Sequence, residues 1–344
     1  MFEPVRGVQY VLPNPAMTRS SVRVKGLGLV AVWAGIQFGC EQLKTPIAYG
    51  LDAGVNTGWT VMPAGTGNLN AVSGASDSAV WMVGDQGAIL RWDGVHLVPE
   101  PSGTNANLRG VCAVDSNNAY AVGDGGLILQ RSPSGWQIVA QGLTRQVLTA
   151  VWADTQRVVA VGSFGTVVFG TPAGGYALVP SGRAENLLGV SGTPGGNMTI
   201  VGSLGLILTF DGTNFSRPAT PPSAKLLAGI AAVGQGIFMV GQEGTFYSLD
   251  GSSLAAISGC PQTPLRALSG VGGDVWAVGW DGTICGMSGG VVLPYPYLDA
   301  RWFNGVYVAT TASIWVVGAN GTLLHGFPLL PDGGGLGVPD GGDQ

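Results

Sequence analysis

The 344-residue chain is short of charge. Asp, Glu, Lys and Arg make up only 10% of it, and Lys225 is the one lysine beyond residue 44. Its net charge is −5 and its arginines are thinly spread, so no basic stripe is available to neutralise phosphates and a nucleic-acid partner is not expected. Histidine is scarcer still. His96 and His325 stand far apart, without cysteine or carboxylate neighbours at ligand spacing, and no metal centre is expected. Glycine-rich stretches do not lead into helices, which excludes a phosphate loop, and no cofactor is implied. No apolar run reaches the ~20 residues that a membrane-spanning helix needs; the longest runs from Gly26 to Phe38.

What the chain does have is glycine, 59 residues of it, and 46% apolar residues, giving a mean hydropathy of +0.33. An apolar excess without a spanning segment fits strands covered on both faces, because such strands read as continuous hydrophobic runs. The first part of the chain has a separate logic. Arg19, Arg23 and Lys25 precede the apolar run, and Gly39-Cys40 follows it. This is the order of an export signal, with Met17 able to open a compact one by itself, so residues 1–39 are set apart from the fold. The Gly-Cys end resembles a bacterial lipoprotein signal, which implies lipidation of Cys40, although Gln37 and Phe38 depart from that pattern. Cleavage after Ala34 and an uncleaved segment are the alternatives. Of the remaining cysteines, Cys112 and Cys285 replace apolar residues in a repeat and read as core, while a Cys260–Cys285 bridge suits an oxidising compartment.

A repeat dominates the rest. Val-Gly-x-x-Gly occurs seven times, with first glycines at Gly84, Gly123, Gly162, Gly202, Gly241, Gly279 and Gly318, spaced by 38 to 40 residues. Before each stands a second element: a large apolar residue, any residue, Ala or Gly, then an aliphatic one, as in Leu69-Asn70-Ala71-Val72. The second element reads as an innermost strand a, where only small residues fit near an axis. Strand b ends at the first glycine and carries an aromatic (Trp81, Tyr120, Phe238, Trp276 or Trp315) expected to fill a gap between blades. The two glycines bound a tight b–c hairpin and are expected to supply positive φ. Strand c is apolar, and a c–d turn leads to an outer strand d that ends in proline at Pro99 and Pro180. Four strands in about 39 residues make a propeller blade, so the chain is expected to be an all-β, seven-bladed β-propeller of four-stranded antiparallel blades. Repeat seven lacks a strand d, and Trp59 to Pro63 supplies a spare one, so an N-terminal strand should complete blade seven. The organisation expected is a lipoprotein-type signal over 1–39, a tether over 40–57, the propeller over 58–328 and a disordered Gly/Asp tail over 329–344.

Repeats such as Val275-Trp276-Ala277-Val278-Gly279-Trp280-Asp281-Gly282-Thr283-Ile284 resemble those of photosystem II assembly factor-like propellers, and more distantly those of sialidase-type, Asp-box propellers and of secreted bacterial proteins. The resemblance covers about 58–328 and implies the fold. The Asp-box pattern Ser-x-Asp-x-Gly-x-x-Trp is absent, which counts against a sialidase-like activity.

The b–c hairpins and d–a connections should share one face. Hairpin tips are normally polar, yet Phe164, Leu204 and Trp280 occupy them, and the connection into blade seven adds Tyr295, Tyr297, Arg301 and Trp302. These residues read either as a contact patch or as a cover for the core. Glu243 and Asp281, at equivalent places in adjacent hairpins, form an acidic pair of the kind glycoside hydrolysis uses, or are two solvated turn residues. The function expected is an extracytoplasmic binding or assembly scaffold, monomeric, anchored in the membrane only by lipid, in the periplasm or at the cell surface, or alternatively secreted. It would recognise a protein or glycan through this face; the alternative is a glycan-active hydrolase or lyase at the same place.

Overall fold

The computed structural model describes residues 58–327, apart from 66, 224, 235, 296, 298 and 299. The signal, Cys40, the tether and the tail lie outside the described residues. Seven four-stranded antiparallel sheets follow one another around a ring, so the chain is a seven-bladed β-propeller. Blade one shows the plan: strand a Leu69–Ser76, b Ala79–Gly84, c Ile89–Trp92 and d Leu97–Pro99, hydrogen-bonded in that order. Blade seven is completed from the other end of the chain. Trp59–Val61 pairs with Leu323–Gly326 in the register Trp59↔Gly326, Thr60↔His325 and Val61↔Leu324. Just beyond that ladder the Phe327 N–H donates to the Gly58 carbonyl, 2.9 Å away. From Val61 the chain passes into the connection to blade one, which lies on the hairpin face, so Gly58 and Phe327 meet on the opposite face.

The core is divided by blade boundaries. Seven apolar clusters are present, and each joins one blade to the next: Trp81 and Val83 of blade one pack on Leu108 and Ala121 of blade two, and Trp315 and Val317 of blade seven pack on Leu69 and Met82 of blade one. The strand-b aromatics Trp81, Tyr120, Trp276 and Trp315 are buried in these boundaries, as the repeat implied, while Phe238 is only partly buried. Such packing is what makes the strands apolar on both sides.

The invariant hairpin glycines are needed for two different reasons. The second one has positive φ in every blade, for example +72° at Gly87. The first does not: Gly84 has φ −155°, an extended conformation open to any residue. There a Cβ would lie 2.2 Å from the Asn68 carbonyl oxygen, and the counterpart at Gly162 would lie 2.0 Å from that of Val147. The expectation of positive φ at both glycines is therefore corrected. The first is required by the close approach of the backbone leading into strand a.

Strand a lines a central channel of about 280 Å³. Around it, hydroxyls on strand a accept backbone N–H groups of the next blade: Ser73 from Ala113 (3.1 Å), Ser191 from Ala232 (2.9 Å) and Ser269 from Val308 (3.1 Å). Cys112 occupies the same place in blade two, and its Sγ accepts the Ala153 N–H at 3.4 Å. It packs against the apolar cluster between blades two and three, as expected of a core residue, and adds this bond between blades. Cys260 and Cys285 are joined as a disulfide, with Cα atoms 5.9 Å apart, tying the connection before blade six to strand c of that blade.

Candidate binding face

In all seven hairpins the second residue between the glycines is left-handed: Gln86, Gly125, Phe164, Leu204, Glu243, Asp281 and Asn320 have φ between +53° and +72°. Asparagine or glycine suits this backbone, whereas a bulky side chain there costs about 1–2 kcal/mol. Three of the hairpins are further held by an Asn at the residue before strand a of the following blade. The side-chain carbonyls of Asn107, Asn186 and Asn68 accept the N–H groups of Gln86, Phe164 and Asn320 at 2.9, 3.1 and 3.1 Å.

Phe164 and Leu204 sit in this strained place on adjacent blades and are 68% and 65% exposed. They do not cover the core. In blades six and seven the aromatics separate into two groups. Trp302 occupies the position held elsewhere by the bracing Asn, and its ring lies flat on that of Trp280, with centroids 5.1 Å apart and planes 11° from parallel. Trp302 is 53% exposed and Trp280 half-buried beneath it. Tyr295 and Tyr297, by contrast, are only 3% and 9% exposed, packed with Trp276 and Phe303 between the blades. Their N–H groups bond to the carbonyls of Ile284 and Gly282, and both rings are turned inward against the core. The expectation that they stand on the face fails for that reason. Arg301 lies beside Trp302 and its backbone carbonyl accepts the Gly282 N–H at 2.8 Å.

Glu243 and Asp281 occupy the same left-handed place in adjacent hairpins. Glu243 is paired with Lys225, whose Nζ lies 2.6 Å from Oε2. Elsewhere, His96 is exposed beside Asp93, and His325 lies flat on Trp315 with Ser313 and Asp77 around its Nε2. Among the described residues no group of three or more His, Cys, Asp or Glu could hold a metal.

At the hairpin end of the channel, the residues one place into each strand a form a ring: Asn70, Arg109, Thr149, Leu188, Ala228, Arg266 and Asn304. Three of them reach the carbonyl that opens strand a of the next blade: Asn70 to Leu108, Thr149 to Leu187 and Asn304 to Leu69, at 2.8, 2.6 and 2.9 Å. Two also meet an aspartate at the first hairpin residue. Asn70 donates to Asp85 at 2.9 Å, and Arg109 grips both oxygens of Asp124 at 2.9 and 3.1 Å. This grip holds the Asp124 carboxyl below the usual carboxylate range. Reading the sequence missed the ring, although its residues occupy a fixed place in the repeat.

No protein-family model and no curated protein sequence matches the chain. Among solved structures it is similar to YCF48 bound to a D1 peptide, with a TM-score of 0.62 at 13% identity over 78% of this chain and 95% of that one. It is similar also to YCF48 from Cyanidioschyzon merolae (0.63, 15% identity, 78% and 99% covered) and to the WD40 propeller domain of Doa1 (0.61, 13% identity, 79% and 98% covered). Likeness at such identities is a likeness of fold.

Proposed function

We propose that this propeller is an extracytoplasmic binding or assembly scaffold that holds a protein partner on its hairpin face. The observation that carries the reading is the pair Phe164 and Leu204. Each places a large apolar side chain in solvent and in left-handed backbone at once, where Asn320 and Gly125 show the easier solution in other blades. Strain of this kind persists where it serves contact with something else. The Trp302–Trp280 stack adds an exposed indole, and aromatic side chains dominate interface hot spots. That a YCF48 propeller of similar fold has been determined with a D1 peptide bound supports a peptide or protein as the partner class. In this reading residues 1–39 direct export and Cys40 carries a lipid. The test is capture from the extracytoplasmic fraction on the immobilised protein. Phe164→Asn, Leu204→Asn and Trp302→Asn should each weaken retention of a captured partner, and full retention by the triple variant would show that the partner uses another surface.

A further inference from the structure

Blade six has the arginine of blade two without the carboxylate that blades one and two place opposite this position. In blade two, Arg109 on strand a holds Asp124, the first residue of the hairpin, through two parallel hydrogen bonds. Blade one repeats the contact with Asn70 and Asp85. In blade six the same two places are taken by Arg266 and Trp280. Arg266 therefore has the station of Arg109 without its partner. Among the described residues no carboxylate or carbonyl lies within bonding distance of its guanidinium, which is open to solvent at the channel mouth. The channel walls nonetheless desolvate it, and this draws its pKa down from the usual arginine value. Trp280 takes the place that Asp124 holds beside Arg109 in blade two, and its ring is stacked against the exposed ring of Trp302.

Resting on the reading that the hairpin face binds a polypeptide, we infer that the Arg266–Trp280–Trp302 sector of the channel mouth is a carboxylate site, taking a polypeptide carboxylate that is followed or preceded by a flat apolar side chain. The guanidinium offers the planar fork that Arg109 already closes on Asp124, and such two-pronged, charge-assisted bonds are the strong and directional kind. The indole stack offers a face for the neighbouring side chain. A chain-terminal carboxylate and an Asp or Glu side chain share this chemistry.

The test is titration of the full-length protein, followed by calorimetry, with three N-acetylated peptides. The first is Gly-Ala-Ala-Phe with a free C-terminus, the second is its C-terminal amide, and the third is Gly-Glu-Phe-Gly amide. Binding of the first alone assigns the site to a chain terminus, and binding of the third assigns it to an acidic side chain; the neutral amide should be weaker by about tenfold or more. Arg266→Gln should cause a similar loss. Trp280→Asp, which rebuilds the pair of blade two inside blade six, should abolish binding without lowering the melting temperature. Equal binding of all three peptides, binding by none, or indifference to Arg266→Gln would overturn the inference. A captured partner that ignores Arg266→Gln and Trp280→Asp but is lost with Phe164→Asn and Leu204→Asn would overturn the carboxylate site and leave the face standing; a partner indifferent to all of these variants would overturn both.

Discussion

The thiol of Cys112 accepts the backbone N–H of Ala153, 3.4 Å away, where three other blades use a serine hydroxyl. Cys112→Ser should leave the melting temperature nearly unchanged, while Cys112→Ala, which strands that N–H, should cost about 1 kcal/mol in denaturant unfolding. Burial pushes the thiol pKa up to about 11. It should therefore resist iodoacetamide at pH 8 in the folded protein and react promptly in denaturant; fast labelling of the native state would contradict this environment.

Ring closure depends on a few residues at the start of the propeller. Removing residues 58–62 strips blade seven of its outer strand and uncovers the edge at Leu323–Gly326. The melting temperature should fall by roughly 5 °C or more, and limited proteolysis should begin in that edge strand. An unchanged melting curve would mean that the pairing contributes little.

Phe164→Asn gives blade three the residue that blade seven already has at this place, Asn320. Relief of the left-handed strain should raise unfolding stability by about 1 kcal/mol, and partner binding should fall. A variant that gains stability and keeps its partner would separate the strain from the function.

His325 lies on Trp315, ring centroids 3.9 Å apart, with its Nε2 3.0 Å from the Ser313 hydroxyl oxygen, whose O–H donates to Asp77. Burial holds the imidazole pKa below its ordinary value, against the smaller opposite pull of Asp77. The unfolded chain then binds the proton more readily than the folded one. The contribution is full above the unfolded value of about 6.5 and is lost as pH falls towards the lower folded value. Thermal melts from pH 7 to pH 5 should show a smaller decline in His325→Phe than in the unaltered protein; equal declines would assign the acid sensitivity to other groups.

Cys40 should incorporate radiolabelled palmitate in cells and hold the protein in the membrane fraction, and Cys40→Ala should release it. Equal labelling and fractionation of that variant would rule out the anchor.

The ring was legible because a propeller repeats its reasons. A glycine that recurs at one place seven times marks a constraint, even when the cause assigned to it is wrong, as at Gly84, where crowding by Asn68 and not positive φ excludes a Cβ. Closure followed from a missing strand in one repeat and a spare one before the first. The site was harder. Tyr295 and Tyr297 lie two residues apart, and this spacing already puts both on one side of an extended segment; treating their stretch as a loop concealed their burial. Trp302 gave a subtler sign, since it puts an indole where Asn68, Asn107 and Asn186 brace the preceding hairpin in three other blades. The unpaired state of Arg266 shows only when Arg109 and Asp124 are known to touch.

The pairing of Gly58 with Phe327 also determines how the propeller can be held. The first and last described residues of the ring meet on the underside, so an attachment made at either one grips the same spot. A tether, a bead or a fused fluorescent protein would then act as a stalk. The hairpin face, with Phe164, Leu204 and Trp302, would look away from the surface to which the stalk is fixed, free to meet whatever diffuses past.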